Sequence, residues 1–242
     1  MKKVLNLVSV LSLILCLFSG SALASEPAKS GPSPSEFFIN FVAKCFSEGN
    51  RLLITDANGN DVTNTVYDSF HSAYNDENYS YILEYLNNNN LNISRIWTVE
   101  DSKKQPVNDL RNHCETDSVL RAPTEHKTVS QEFYDHGSTT GGYFEKEWST
   151  IITGTFYYNA NTYNIISSNT PDVSIGGPGW GTAFSPYPDK VSGWYTIAPD
   201  KSTITYYGKY RMKCTLLVSI EGFPFNTTLD YGDVSHSFTA RP

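Results

Sequence analysis

Glu145 and Glu147 stand two positions apart in a stretch that reads as a strand, so both carboxylates face the same side. Paired carboxylates are what glycoside hydrolysis needs, one to protonate the leaving group and one to attack or to activate water. The pair makes a secreted hydrolase acting on glycans one reading of the chain, although acidic pairs on solvent faces are common and neither Lys146 nor Glu132 sharpens the case. Asp135-His136-Gly137-Ser138 holds the letters of a hydrolytic triad in a row. A working triad needs side chains that converge in space, which contiguity hinders. No Gly-x-Ser-x-Gly elbow accompanies them, and a polar turn is expected there instead.

The five histidines, His71, His113, His126, His136 and His236, show no H-E-x-x-H and no paired ligand spacing. Asp56, Asn58, Asn60 and Asp61 imitate a calcium loop, but Gly59 falls at its fourth position, Asp61 at its sixth and Tyr67 at its twelfth. An EF-hand needs glycine at the sixth and glutamate at the twelfth. The segment reads as a tight Asn-Gly turn, and no metal or cofactor is expected.

Gly176-Gly177-Pro178-Gly179-Trp180-Gly181 is the most unusual stretch, running on through Phe184, Pro186, Tyr187 and Pro188. No Lys-Ser/Thr follows, so it is not a phosphate cradle. A Gly/Pro loop carrying three aromatics can offer flat rings to a sugar or to a partner's apolar surface. Trp180, Phe184 and Tyr187 are therefore the candidate ligand-binding residues. The alternative is that the rings fold back and plug an open end of the sheets.

Met1-Lys2-Lys3, an apolar run over 4–18 and Ala22-Leu23-Ala24 together read as a secretory signal peptide cleaved before Ser25. Leu15 before Cys16 argues against lipid attachment, and no later stretch is long and apolar enough to span a bilayer. Cleavage takes Lys2 and Lys3 from 18 basic residues, leaving 16 against 25 acidic ones and a formal charge of −9. Nucleic acid and anionic membranes are thereby excluded as main partners. Cys16 leaves with the signal. Of the remaining Cys45, Cys114 and Cys214, the first two are the expected disulfide and Cys214 the buried thiol.

The elements that position these residues change character along the chain. Residues 25–35 form a Pro-rich lead-in. Ser35 can cap a helix whose Phe38, Phe41, Val42 and Cys45 recur at helical spacing. Val66, Phe70 and Tyr74 predict a second helix. Asn78 can cap a third, with Tyr81, Ile82, Tyr85 and Leu86 as its stripe. Strands are expected over 51–56 and 91–100. From about residue 128 the period becomes two, with strands over 128–134, 147–158, 162–167, 191–198, 203–207, 209–220 and 234–240.

The expected fold is α+β, with a helix-rich region over 36–121 followed by a mainly antiparallel β-sandwich over 122–242, immunoglobulin-like or similar. A secreted, non-catalytic module that binds a glycan or protein ligand outside the cell is the first functional reading. The glycan hydrolase and a structural or inhibitory extracellular domain are the alternatives.

Overall fold

The computed structural model describes residues 33–99, 123–138, 145–177, 186–220 and 223–242. The expected signal peptide and Cys114 lie outside them. Helix α1 (Glu36–Cys45) opens at Ser35, whose side chain accepts from the Phe38 amide at 3.0 Å. It buries Phe38, Phe41, Val42 and Cys45, the four residues that the spacing singles out. Strand β1 (Arg51–Thr55) leads through the Asn58-Gly59 turn, where Gly59 takes φ +83°. Asp56 accepts from the amides of Asn58 and Asn60 and from the Asn60 side chain. These bonds, those from Asn60 above all, hold its carboxyl below the usual range.

Helix α2 (Thr63–Asn75) buries Val66, Phe70 and Ala73. Helix α3 (Tyr79–Asn88) is capped by Asn78 and buries Ile82, Leu83 and Leu86, while Tyr81 stays exposed. Here the buried stripe is rotated from the expected one, because the tyrosines carry a polar tip to the rim while Leu83 turns inward.

The other described elements are strands: β2 (Asn92–Val99), β3 (Thr124–Ser138), β4 (Glu145–Asn159), β5 (Ile165–Ser168), β6 (Asp172–Gly176), β7 (Pro186–Ile197), β8 (Ile204–Ile220) and β9 (Phe223–Ala240). Every pairing is antiparallel. The first sheet runs β1-β2-β3-β4, with β5 and β6 both paired to β4; the second runs β7-β8-β9. Because β2 pairs with β3 from Ser94 opposite Phe133 to Val99 opposite Thr128, one sheet joins strands from both sides of residue 122.

Register decides which side chains meet. Leu52, Ile54 and Ile93 turn to one face of the first sheet and pack with the three helices. Val129, Phe133, Ile152 and Phe156 turn to the other and join Ile204, Tyr206, Phe238 and Ala240 of the second sheet. Each such buried aliphatic or aromatic side chain contributes about 1.5–3 kcal/mol. The sheets come closest at two glycines. A Cβ at Gly154 would lie 2.2 Å from Tyr206 Cζ, and one at Gly208 would lie 2.9 Å from Ile152 Cδ1. Gly154 thus marks a close approach between sheets, and its pairing with Val129 is regular. Gly208 keeps β8 continuous where two separate strands are expected from sequence.

Candidate functional site

Asp135, His136, Gly137 and Ser138 continue β3 as strand, paired opposite Trp148 to Glu145, and do not form the expected turn. Alternation sends neighbouring side chains to opposite faces. Asp135 therefore meets His236, 101 positions away on β9, at 2.7 Å. Its second oxygen accepts from Thr150 at 2.6 Å. The Thr150 hydroxyl lies 2.6 Å from that of Tyr210, and the Trp148 indole donates to Tyr210 at 2.6 Å. The His236 ring stacks on Phe133 with centroids 4.3 Å apart. Burial and the Asp135 carboxylate push the Tyr210 phenol far above its ordinary range. This network spans both sheets and consumes the polar groups of its own members.

Glu147 is occupied as well. Tyr134 donates to its Oε1 at 2.6 Å, and the Ser35 hydroxyl, the N-cap of α1, donates to its Oε2. The carboxylate thereby fastens a helix start to the first sheet. The side chain of Glu145 lies outside the described part. Trp180 and Phe184 also lie outside the described residues, in the connection from β6 to β7. Tyr187 stands at the start of β7, 39% exposed and opposite Lys213. The Lys213 ammonium contacts Asp189 at 2.6 Å and holds that carboxyl below its usual range. Cys45 and Cys214 are both buried. Desolvation pushes the Cys45 thiol well above the usual range, and raises Cys214 too.

An open cleft of about 690 Å³ lies elsewhere, between the end of β9 and the β1–β2 side of the first sheet. Arg51, Lys127 and Arg241 line it with Trp97, Ile96 and Phe238, and among the described lining residues no side chain is acidic. On the helix-side face of the same sheet, behind the cleft, lies Arg95. That guanidinium contacts Glu132 through Nη2 at 2.6 Å and Nε at 2.7 Å, reaches Asn50 Oδ1 at 2.9 Å, and lies 4.3 Å over the Trp97 ring. Asn50 and Trp97, which line the cleft, are thus held by a pair that is itself mostly buried. On the rim, Arg51 is 3.7 Å from Asp61, an exposed contact, and Lys127 donates to the Arg241 carbonyl at 3.0 Å.

No protein-family model, curated protein or solved structure matches the chain. Function is therefore read from the chemistry of the sites. Three cationic side chains, two of them guanidinium forks, suit an anionic ligand that carries carboxylate or phosphate. The sequence signal for this cleft is weak, because Arg51, Trp97, Lys127 and Arg241 sit in four separate segments. Among the described residues, no group of three or more His, Cys, Asp or Glu side chains converges to hold a metal ion. Among the same residues, no helix is long and apolar enough to cross a membrane.

Proposed function

We propose that the chain is an exported, non-catalytic binding module that takes an anionic ligand in the cleft between β9 and the β1–β2 edge. The observation that carries this reading is the cleft's lining: Arg51, Lys127 and Arg241 with no acidic side chain among the described lining residues, in a chain of formal charge −7. A local concentration of cations against the overall charge marks a place built for recognition, since solubility alone does not require it. The signal-like N-terminus supports a working place outside the cytoplasm. Two antiparallel sheets that share a core support a β-sandwich. The pairing of consecutive strands fits a meander better than the Greek-key order of immunoglobulin domains.

The glycan-hydrolase alternative is the less favoured reading. Glu147 is held by Ser35 and Tyr134, and Asp135 by His236 and Thr150. The loop carrying Trp180 and Phe184, with exposed Tyr187 at its exit, is a second contact surface in the proposal.

Binding of the full chain to polygalacturonate, to a neutral glycan panel and to acidic peptides tests the reading. Acid-selective binding that weakens with salt is expected, and Arg51→Glu with Lys127→Glu is expected to reduce it about a hundredfold. Equal affinity in wild type and the double variant would remove the cleft from consideration. An unchanged profile on the neutral panel after Trp180→Ala would do the same for the loop.

A further inference from the structure

The two sheets are not in register at their edges. His236 of β9 stacks on Phe133 of β3, Tyr206 and Gly208 of β8 lie on Gly154 and Ile152 of β4, and Gly193 of β7 lies against Val173 of β6. With β9 above β3, the strands β2 and β1 continue past the second sheet as a shelf. At about 4.8 Å per strand the shelf is about 10 Å wide. Its lower face is covered by the helices through Leu52, Ile54 and Ile93. Its upper face carries Arg51, Leu53 and Ile96, with Leu53 and Ile96 half-buried.

The edge above this shelf differs from the other edges. Strand β1 has five residues, β5 four and β6 five, too short to template much pairing. Strand β7 is blunted by Pro186 and Pro188, by a register shift between Asp189 and Ser192, and by Lys190 at φ +56°. Among the described residues β9 pairs only with β8, and its run after Gly232, Asp-Val-Ser-His-Ser-Phe-Thr-Ala, has no proline, lysine or register shift. Its last residues, Phe238 to Ala240, line the basic cleft.

We infer that this edge accepts an extended acidic peptide as a fourth strand of the second sheet, lying on the β1–β2 shelf with its carboxylates among Arg51, Lys127 and Arg241. The inference rests on the binding role proposed for the same cleft and names the class of ligand. Main-chain bonds to β9 supply affinity, and alternate side chains point down. Downward apolar positions meet Ile96 and Leu53, and downward acidic positions meet the cations. A second copy of this chain does not fit. Antiparallel pairing of two β9 edges within one sheet relates the copies by an axis perpendicular to that sheet, which puts both first sheets on the same side. The two shelves would then occupy the same space. A single strand without a second layer behind it avoids that collision.

The probe is the peptide acetyl-Val-Thr-Val-Thr-Glu-Thr-Glu-amide, measured against the full chain by calorimetry together with amide exchange of residues 234–240. Two further versions carry N-methyl groups on one or the other alternate set of amides. Strand addition uses one edge of the peptide, so one methylated version is expected to lose binding while the other keeps it, and exchange over 234–240 is expected to slow. Lys127→Glu and Arg241→Glu are each expected to weaken binding about tenfold, and replacing both glutamates of the probe by lysine is expected to abolish it.

If both methylated versions bind as well as the parent, or exchange in β9 is unaffected, strand addition is overturned. If polygalacturonate binds and depends on Lys127 while the peptides do not, the cleft keeps its anion-binding role and the peptide inference fails. If neither binds, both fail.

Discussion

Asp135 gathers more of the molecule than any other acidic side chain described here. One oxygen receives His236 and the other receives Thr150, with Tyr210 behind at 3.3 Å and Trp148 donating to Tyr210. The hydroxyls can be ordered so that each donates towards the carboxylate, which leaves no donor in the chain from Trp148 to Asp135 idle. Removing the acceptor strands several polar groups between the sheets, and an uncompensated buried group costs more than the bond it made. Asp135→Ala is expected to lower the unfolding free energy by about 3 kcal/mol, and Thr150→Val by about 1 kcal/mol. Because both act on one network, the double variant should lose clearly less than the sum, which urea titrations of the four proteins would measure. Additive losses below 1 kcal/mol each would mean that water already serves these groups.

The spacing between the two sheets is set by glycines that let rings lie directly on backbone. Gly154→Ala puts a methyl where Tyr206 Cζ now lies within 2.2 Å, so the sheets must separate or Tyr206 must leave its place. A loss of about 1–3 kcal/mol is expected, recovered in part when Tyr206→Leu is added, with denaturant midpoints as the measurement. These elements also mark how far sequence carries. The caps Ser35 and Asn78, the four buried residues of α1 and the inward face of Tyr210, Met212 and Cys214 were legible, because each depends on neighbours within a turn or on period two. Gly208 misleads by the same local logic, reading as a break when its cause is Ile152, more than fifty positions away. The contact of Asp135 with His236 was likewise hidden, and so was the cleft, since both exist only once β9 lies over β3. Sequence offered Tyr187 as a site residue, and it is exposed. It did not point to Arg51, Lys127 and Arg241, which share no pattern until strands from different segments meet.

At the scale of the whole molecule, the second sheet turns three titratable phenols toward the first. Burial pushes Tyr206 up to about 12 and Tyr231 up to about 12, and Tyr210 is raised further by burial beside Asp135. A phenol in an unfolded chain ionises near pH 10. Between that pH and about 12, the unfolded chain gives up these protons while the folded one keeps them, so rising pH favours unfolding. The stabilisation is complete below pH 10 and is lost as pH climbs through the folded values. Acidic pH leaves these groups protonated in both states and has no such effect through them. The urea midpoint is therefore expected to fall steeply from about pH 10 upward, as sheet-to-sheet packing gives way. Tyr206→Phe removes one of the three groups and also its hydroxyl contact with Ser168 at 2.9 Å. That variant should begin less stable at pH 8, by about 1 kcal/mol, and then lose less between pH 8 and pH 11 than the wild type. Parallel curves for the two proteins would show that the Tyr206 phenol does not contribute to the alkaline limit.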